Sequence, residues 1–391
     1  MIFNITRESI NALEADFDFN SKRVKLRKGF SFETPVGVEF QSEEVFALVE
    51  KILRGAKRTA SLIFLFEKPF VKSTLSNFSI IRERPLNYID EDELENIIES
   101  LVWRLYDRER PIVSRLLGVA ELEIFLVSSK IKDPKIDGRK IINPLGFSGR
   151  RLGFTFENTY THRDFWDKFI KIFNRYKGEM IILVENQLIF DKVFSLVEES
   201  GILIEIGREK TKVGLLGNFL KNFEIFDWGE ENLMRLIAKN LSISLKTARF
   251  LKTRYEAGDL SSHSFHWFEK LLMPELKILT EGIYLAVKNF DLGDSAPQTL
   301  YLSGSLNRFP KLLEVFNGYS WPKSLFKKKP SVAIYQKEKI FDKINIKVEN
   351  LEQFDHSIPL ALVGAIAASF LPESSYPELN KVLKRRVKWL S

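Results

Sequence analysis

The sequence contains no cysteine. That excludes a disulfide framework, thiol catalysis and any thiolate metal site. Histidine is scarce, with four in the chain. His263 and His266 are three apart, but a metal needs three or four ligands, so no metal centre is expected. No apolar run is long enough to span a bilayer. The longest, Ile358 to Leu371, falls short of the roughly 20 residues required. Its small residues Ala361, Gly364, Ala365 and Ala368 suit a buried helix instead. The opening MIFNITRESI lacks the basic-then-apolar order of a secretory signal, so a cytoplasmic protein is expected. No Walker-type loop and no nucleophile–base arrangement is readable.

What is present is an ordinary globular composition. The chain has 391 residues, 45% hydrophobic and 28% charged, with a net charge of +7. This mild excess is compatible with an anionic partner without naming one. The five cations between Lys22 and Lys28 alternate with apolar Val24 and Leu26. They read as one solvated strand face, and no nucleic-acid partner is expected.

Helix and strand periods organise the rest. A helix is predicted over Ser42 to Arg54, and a strand over Ala60 to Phe66, with another near Ser76 to Ile81. Asp90 precedes Glu93 as a capping pair. Behind it Leu94, Ile97, Ile98, Leu101, Val102 and Leu105 keep the helical spacing of one buried face. Strands at Glu121–Val127 and Arg151–Phe156 complete a small α+β module. A helix over about Thr161 to Tyr176 and a strand over Met180 to Val184 follow. Gly201–Gly207 (GILIEIG) and Lys212–Leu216 read as a hairpin. A helical region runs from Glu230 to Asn289, interrupted near Gly258–Ser264. Then come a strand at Leu300–Leu302, a turn, and a helix at Pro310–Phe316; the cationic run Lys327–Lys329 reads as a loop.

Asn143 to Leu152 (NPLGFSGRRL) is a shaped turn feeding a strand. Pro144 fixes its own φ and restricts Asn143, Gly146 and Gly149 permit left-handed backbone, and Ser148 can bond local amides. The segment resembles the N-P-x-G-x-S-G-x-x-L signature of the FtsA family of bacterial actin-like cell-division proteins. The preceding Arg82 to Glu99 is similar to the same family. GILIEIG, KTARFLKTRY and LYLSGSLNRFP follow in the order of its second phosphate motif, its Ala-x-x-x-Lys helix and its adenosine motif. The resemblance implies a two-lobed, actin-like α/β fold with an inserted SHS2 (1C) subdomain. It would divide the chain into subdomain 1A (residues 1–58 and 158–200), the SHS2 insert (59–157), subdomain 2A (201–226 and 297–371), a helical 2B-like part (227–296) and a terminal linker and helix (372–391). It also implies self-association through Asn143, Pro144, Gly146, Ser148 and Gly149. Read from the residues alone, the segment is a structural turn without a ligand.

Against the family's nucleotide motifs the residues are degraded. Asn4-Ile5-Thr6-Arg7-Glu8 stands where the first phosphate motif has an Asp and a Gly. In the second, Glu205 replaces the Asp and Gly207 matches the first Gly, but Arg208 and Glu209 replace the next two before Lys210 and Thr211. A carboxylate about 4 Å from a phosphate charge opposes it by about 4 kcal/mol at an effective dielectric near 20. Ala248 and Lys252 match the helix motif, with Arg249 where the family has Glu. Gly304-Ser305 stands for the Gly-Gly adenosine turn. The residual cleft would therefore consist of Gly207, Arg208, Lys210, Thr211, Lys252, Gly304 and Ser305. No cofactor and no catalysis are expected; ATP with Mg²⁺ is the ligand such a cleft would take if it still bound one.

The last sixteen residues carry five cations and one Glu. On a helix opened by Pro377, Leu379, Val382, Leu383, Val387 and Leu390 share one face with Trp389 at its edge. Lys381, Lys384, Arg385 and Lys388 lie opposite. This is the make-up of an interfacial helix, and FtsA proteins end in a similar one. Packing on the body is the alternative destination. The resemblance implies a non-catalytic scaffold on the inner face of the membrane, with the FtsZ C-terminal tail, other divisome proteins and copies of itself as partners. A PilM-like protein of type IV pilus assembly, which binds a membrane partner's short tail, is the nearest alternative. An ATP-dependent enzyme of the wider superfamily is a third.

Overall fold

A computed structural model of the chain describes residues 1–34, 42–55, 61–176, 181–197, 200–216, 222–290, 292, 296–351, 359–371 and 376–386. The chain forms two compact units. The first takes Met1–Ile189 and Ala368–Ser391, the second Phe190–Ala367.

The first unit opens with β1 (Ile2–Ile5), β2 (Ser9–Asp18) and β3 (Arg23–Glu33), then α1 (Ser42–Arg54) and β4 (Leu62–Phe66). An inserted module follows: β5 (Val71–Ile81), α2 (Glu91–Leu117), β6 (Ile124–Ile136), β7 (Arg139–Lys140) and β8 (Arg151–His162). The chain returns through α3 (Arg163–Tyr176) and β9 (Ile181–Glu185) to α4 (Asn186–Val197), in which the second unit begins. That unit holds β10 (Ile202–Ile206), β11 (Thr211–Leu215), β12 (Phe223–Phe226), α5 (Glu230–Leu241), α6 (Leu245–Glu256), α7 (Ser262–Asn289), β13 (Thr299–Gly304), α8 (Leu312–Gly318), β14 (Ser331–Ile334), α9 (Glu338–Lys343), β15 (Lys347–Glu349) and most of α10 (Leu360–Ala368). A final helix, α11 (Pro377–Arg386), belongs to the first unit.

The two units repeat one topology. In the first, the strand order is β3-β2-β1-β4-β9; β1, β2 and β3 are antiparallel, and β4 and β9 run parallel to β1. In the second the order is β12-β11-β10-β13-β14, again an antiparallel meander followed by two parallel strands. The parallel strands are apolar on both faces, as burial between helices requires. In the first unit Phe3 stacks on Phe64 at 4.7 Å, and Phe169 meets Phe64 edge-on at 4.9 Å. Much of the Phe content therefore fills this core.

The module is an antiparallel sheet, β5-β8-β6-β7, covered by α2. Asp90 caps α2 by accepting the Glu93 amide at 2.8 Å, and Gly118 closes it at φ 71°. Beneath the helix the buried Glu109 carboxylate accepts from Tyr160 Oη (2.7 Å), Thr74 Oγ1 (2.6 Å) and Ser76.

Strand lengths differ from expectation. β6 and β8 continue well past Val127 and Phe156 because polar residues such as Asn158 and Thr159 sit buried and paired inside the sheet. The hairpin β6–β7 was not anticipated; it turns on Asp137 (φ 48°) and Gly138 (φ 82°), a pairing that suits a two-residue turn.

The destination of the terminal helix is a correction. Leu379, Val382 and Leu383 are buried in the module core beside Leu101 and Phe156. Asn380 accepts from the Ile131 amide at 2.8 Å and donates to its carbonyl at 3.2 Å. Arg385 pairs with Glu91 (2.9 Å) and Glu95. Apolar side chains that have already left water gain nothing from a bilayer, so this face is not a free lipid-binding face. Lys384 is exposed; Val387, Lys388, Trp389 and Leu390 lie outside the described residues.

Two measurements check this architecture. Leu383→Ala should lower unfolding free energy by about 2–5 kcal/mol in urea titrations. His162 supplies the second. Its Nδ1 accepts the Phe165 amide at 3.3 Å at the start of α3, and burial holds its pKa below the ordinary 6.5, outweighing Asp164 and Glu123, which act in the opposite direction. A lowered imidazole pKa contributes stability above the unfolded value that is lost as the pH falls through the folded value. Unfolding free energy should drop between about pH 7 and pH 5. His162→Asn, which caps without titrating, should lack that component.

Candidate functional site

The repeated topology puts equivalent tight turns at the ends of β1 and β10, where a phosphate-cradling hairpin needs free backbone amides. In the first unit the turn Thr6-Arg7-Glu8-Ser9 is closed by its own threonine. Thr6 Oγ1 accepts the amides of Glu8 (3.2 Å) and Ser9 (2.9 Å), and the Thr6 amide donates to the Ser9 carbonyl at 2.9 Å. Sequence reading did not single out Thr6, although Ser and Thr hydroxyls commonly close such turns.

The second unit does the same with different groups. The Gly207 amide donates to the Lys210 carbonyl at 2.9 Å. The first amides of α5 then dock on the turn: Glu230 donates to Gly207 O (3.0 Å) and Glu231 to Arg208 O (2.8 Å). Gly229 permits this approach, because a Cβ there would meet the Arg208 carbonyl. This glycine was also missed; its place just before the acidic pair Glu230-Glu231 was the available signal. Thr211 is buried and donates to the Trp228 carbonyl at 2.7 Å.

Two cations of the predicted cleft, Lys252 and Arg208, and the neighbouring Lys212 and Arg249 have carboxylate partners within the unit. Lys252 Nζ lies 3.1 Å from Glu230 and 3.0 Å from Glu256, and donates to the Ser305 carbonyl at 3.3 Å. Arg208 lies 3.9 Å from Glu209, Lys212 lies 3.6 Å from Glu205, and Arg249 donates to the buried Glu231 at 2.7 Å. Gly304 (φ 106°) ends β13 so close to β10 that a Cβ would collide with the Ile206 carbonyl. Ser305 donates to that oxygen through its amide (2.8 Å) and hydroxyl (3.2 Å). The structure thus brings together Gly207, Arg208, Lys210, Thr211, Lys252, Gly304 and Ser305, bonded largely to one another and to α5.

The signature Asn143–Leu152 is a cross-strap within the module. Asn143 Oδ1 accepts the Leu145 amide at 3.1 Å, and Pro144 is buried. The Ile89 amide donates to Phe147 O (2.9 Å), the Gly146 amide to Ile89 O (2.9 Å) and the Gly149 amide to Pro85 O (3.0 Å). A Cβ on Gly149 would strike Ile136. Arg82, buried, forks onto Glu93 (2.7 Å twice) and donates to Gly149 O and Asn87 O, both at 3.0 Å. Glu93 holds the Arg82 pKa above its ordinary value. Ser148 is exposed. His263 and His266 are exposed on α7, His266 3.3 Å from Glu269.

Two α/β units with the same meander-plus-parallel sheet, one carrying an α+β insert, define an actin-like fold. Along 95% of this chain and 98% of the other, the structure is similar to a solved PilM–PilN type IV pilus biogenesis complex, with a TM-score of 0.54 at 14% identity. It also matches the ethanolamine utilization protein EutJ from Carboxydothermus hydrogenoformans (TM-score 0.40, 11% identity, 95% and 89% of the chains). A further match is the cytoplasmic domain of EpsL, an inner membrane component of the type II secretion system of Vibrio cholerae (0.36, 7%, 96% and 96%). No family model and no curated protein matches the sequence.

Gly304→Ala should destabilise the chain by at least about 1 kcal/mol, since the new Cβ meets both strained φ and the Ile206 carbonyl. A denaturation midpoint equal to wild type would show that the two strand ends can separate.

Proposed function

We propose that this protein is a non-catalytic, actin-fold scaffold that recruits a PilN-like segment of a membrane-anchored partner to a type IV pilus-like assembly. The carrying observation is the likeness to PilM in complex with PilN over nearly the whole of both chains. Two features support it. The turn after β1 spends the Thr6, Glu8 and Ser9 amides internally, the turn after β10 spends the Gly207 amide on Lys210 O, and Lys252 is held between Glu230 and Glu256. A triphosphate would have to break those bonds and desolvate the carboxylates, at a cost that its own contacts would only offset. The apolar face of α11 is packed into the module, which suits a protein reaching the membrane through a partner.

A second reading, an FtsA-like division scaffold, is favoured by the match of Asn143, Pro144, Gly146, Ser148, Gly149 and Leu152 to that family's signature. In it the module would serve self-association and the FtsZ C-terminal tail and other divisome proteins would be the ligands. Under either reading the protein works peripherally at the cytoplasmic face of the membrane, and many weak sites add through avidity.

The intact chain should be retained by an immobilised cytoplasmic segment of a PilN-like protein and not by an FtsZ tail peptide. The reverse result would replace the first reading by the second, and retention by neither would sink both. Calorimetric titration with ATP and Mg²⁺ should give no binding heat; sub-micromolar affinity would remove the argument for an inert cleft.

A further inference from the structure

Helix α7 is apolar on two sides. Its inner side sends Phe268, Leu272, Leu276, Leu279 and Ile283 into the core of the second unit. On the outer side Pro274 is exposed, together with Trp267 (38%), Ile278 (54%) and Leu285 (55%). At about 100° per residue these four side chains start within an arc of about 40°, so they form one stripe about 27 Å long. A helix of a soluble domain keeps its outer face polar unless something covers it.

The order of the stripe points to its cover. Its members are spaced seven, four and seven residues apart, a series that reads the same in both directions about Leu276. Turning a second α7 end for end about a two-fold axis at that point sets Trp267 against Leu285 and Pro274 against Ile278 of the other copy, twice over. The flanks agree in the same register. Such an axis brings like flanks together, so Lys270 meets Glu281 of the second copy at nearly the same height, again twice. Both residues are exposed, and among the described residues neither is held in an ion pair. The Tyr319 hydroxyl donates to Glu281, which steadies that carboxylate and leaves acceptor capacity for a lysine. On the other flank the half-buried Leu271 comes opposite Gly282, against which the Phe226 ring packs. The remaining exposed cations lie off the seam. Lys277 sits about 80° round the helix from the stripe, and Lys288 stands at its outer end across from His263.

We infer that the outer face of α7 is a self-pairing surface, and that two copies of this chain associate through antiparallel α7 helices. The contact is isologous: each residue of the seam meets its complement on the other copy, and the pair closes on itself. Charge decides for a second copy over an acidic helix from another protein. An acidic helix would answer the lysines but set its own carboxylates against Glu281, whereas a second α7 supplies one lysine for that glutamate. The surface lies within the second unit and is independent of which partner segment the scaffold recruits.

Sedimentation velocity of the intact chain over a concentration series tests this. The wild type should pass from monomer to dimer as concentration rises. Ile278→Asp should weaken dimerisation about tenfold or more, because it sets two carboxylates into an apolar seam. Lys270→Glu alone and Glu281→Lys alone should each weaken it about fivefold. Lys270→Glu combined with Glu281→Lys should recover most of that loss, which only the antiparallel register predicts. Ile278 and Lys270 are exposed, so the unfolding midpoint of their variants, measured where the wild type is monomeric, should not move. A wild type that stays monomeric at every concentration overturns the inference, as does a dimer that survives Ile278→Asp or a charge exchange that recovers nothing. A monomer that instead binds an acidic amphipathic peptide, and loses it on Ile278→Asp, would assign the stripe to a different protein.

Discussion

A backbone amide or an ammonium proton that has found an acceptor inside the chain is no longer a ligand group. At the ends of β1 and β10 that rule governs the structure. A phosphate-binding turn is a strained arrangement whose amides converge on empty space until an anion arrives. Here Thr6 Oγ1 gathers the Glu8 and Ser9 amides, and α5 delivers its first amides to the turn after β10. In the turn after β1 the amides are satisfied without a ligand, whereas after β10 it is the Gly207 and Arg208 carbonyls that α5 satisfies. The same logic extends to charge, because Lys252, buried between Glu230 and Glu256, neutralises a site that would otherwise hold two repelling carboxylates. The units keep the sheet topology of the actin-like fold, each with a tight turn closed by its own groups after the first strand.

The residues differ in how plainly they announced this. α1 begins and ends where the spacing of Val45, Leu48, Val49 and Ile52 places it, and Asp90 marks the start of α2 because capping is local chemistry. The second halves of β6 and β8 were hidden. Both faces there are buried and carry polar residues, Asn158 on one and Glu157 and Thr159 on the other, whose partners lie on other strands or on α2, and no local period reveals a polar residue satisfied at long range. The Asp137-Gly138 turn was readable in principle, but the strands on either side of it were too charged to draw attention. Within the cleft, the substitutions at Arg208 and Glu209 were legible as loss of glycine. That Gly229 completes the closure was not, since its close approach to the Arg208 carbonyl exists only in the folded chain, whereas Thr6, whose bonds to Glu8 and Ser9 are local, was readable and passed over.

The tail shows how a correct pattern can carry two meanings. The opposition of Leu379, Val382 and Leu383 to Lys381 and Lys384 is real, and the helix is there. An amphipathic helix reports that one face leaves water, not what receives it. The receiving surface, between α2 and β6, is assembled from residues almost three hundred positions earlier in the chain, beyond the reach of any window of sequence.

The pairing of Asn380 with both polar groups of Ile131 has one more consequence. Its side-chain amide reproduces what a neighbouring strand would offer, so α11 works as a cap on the open flank of β6 beyond the short β7. Uncapped strand flanks template intermolecular sheet growth. A proteolytic nick ahead of Tyr376 would therefore strip a safeguard against clumping as well as remove part of a core, which gives the terminal helix a duty in keeping crowded copies of this chain distinct.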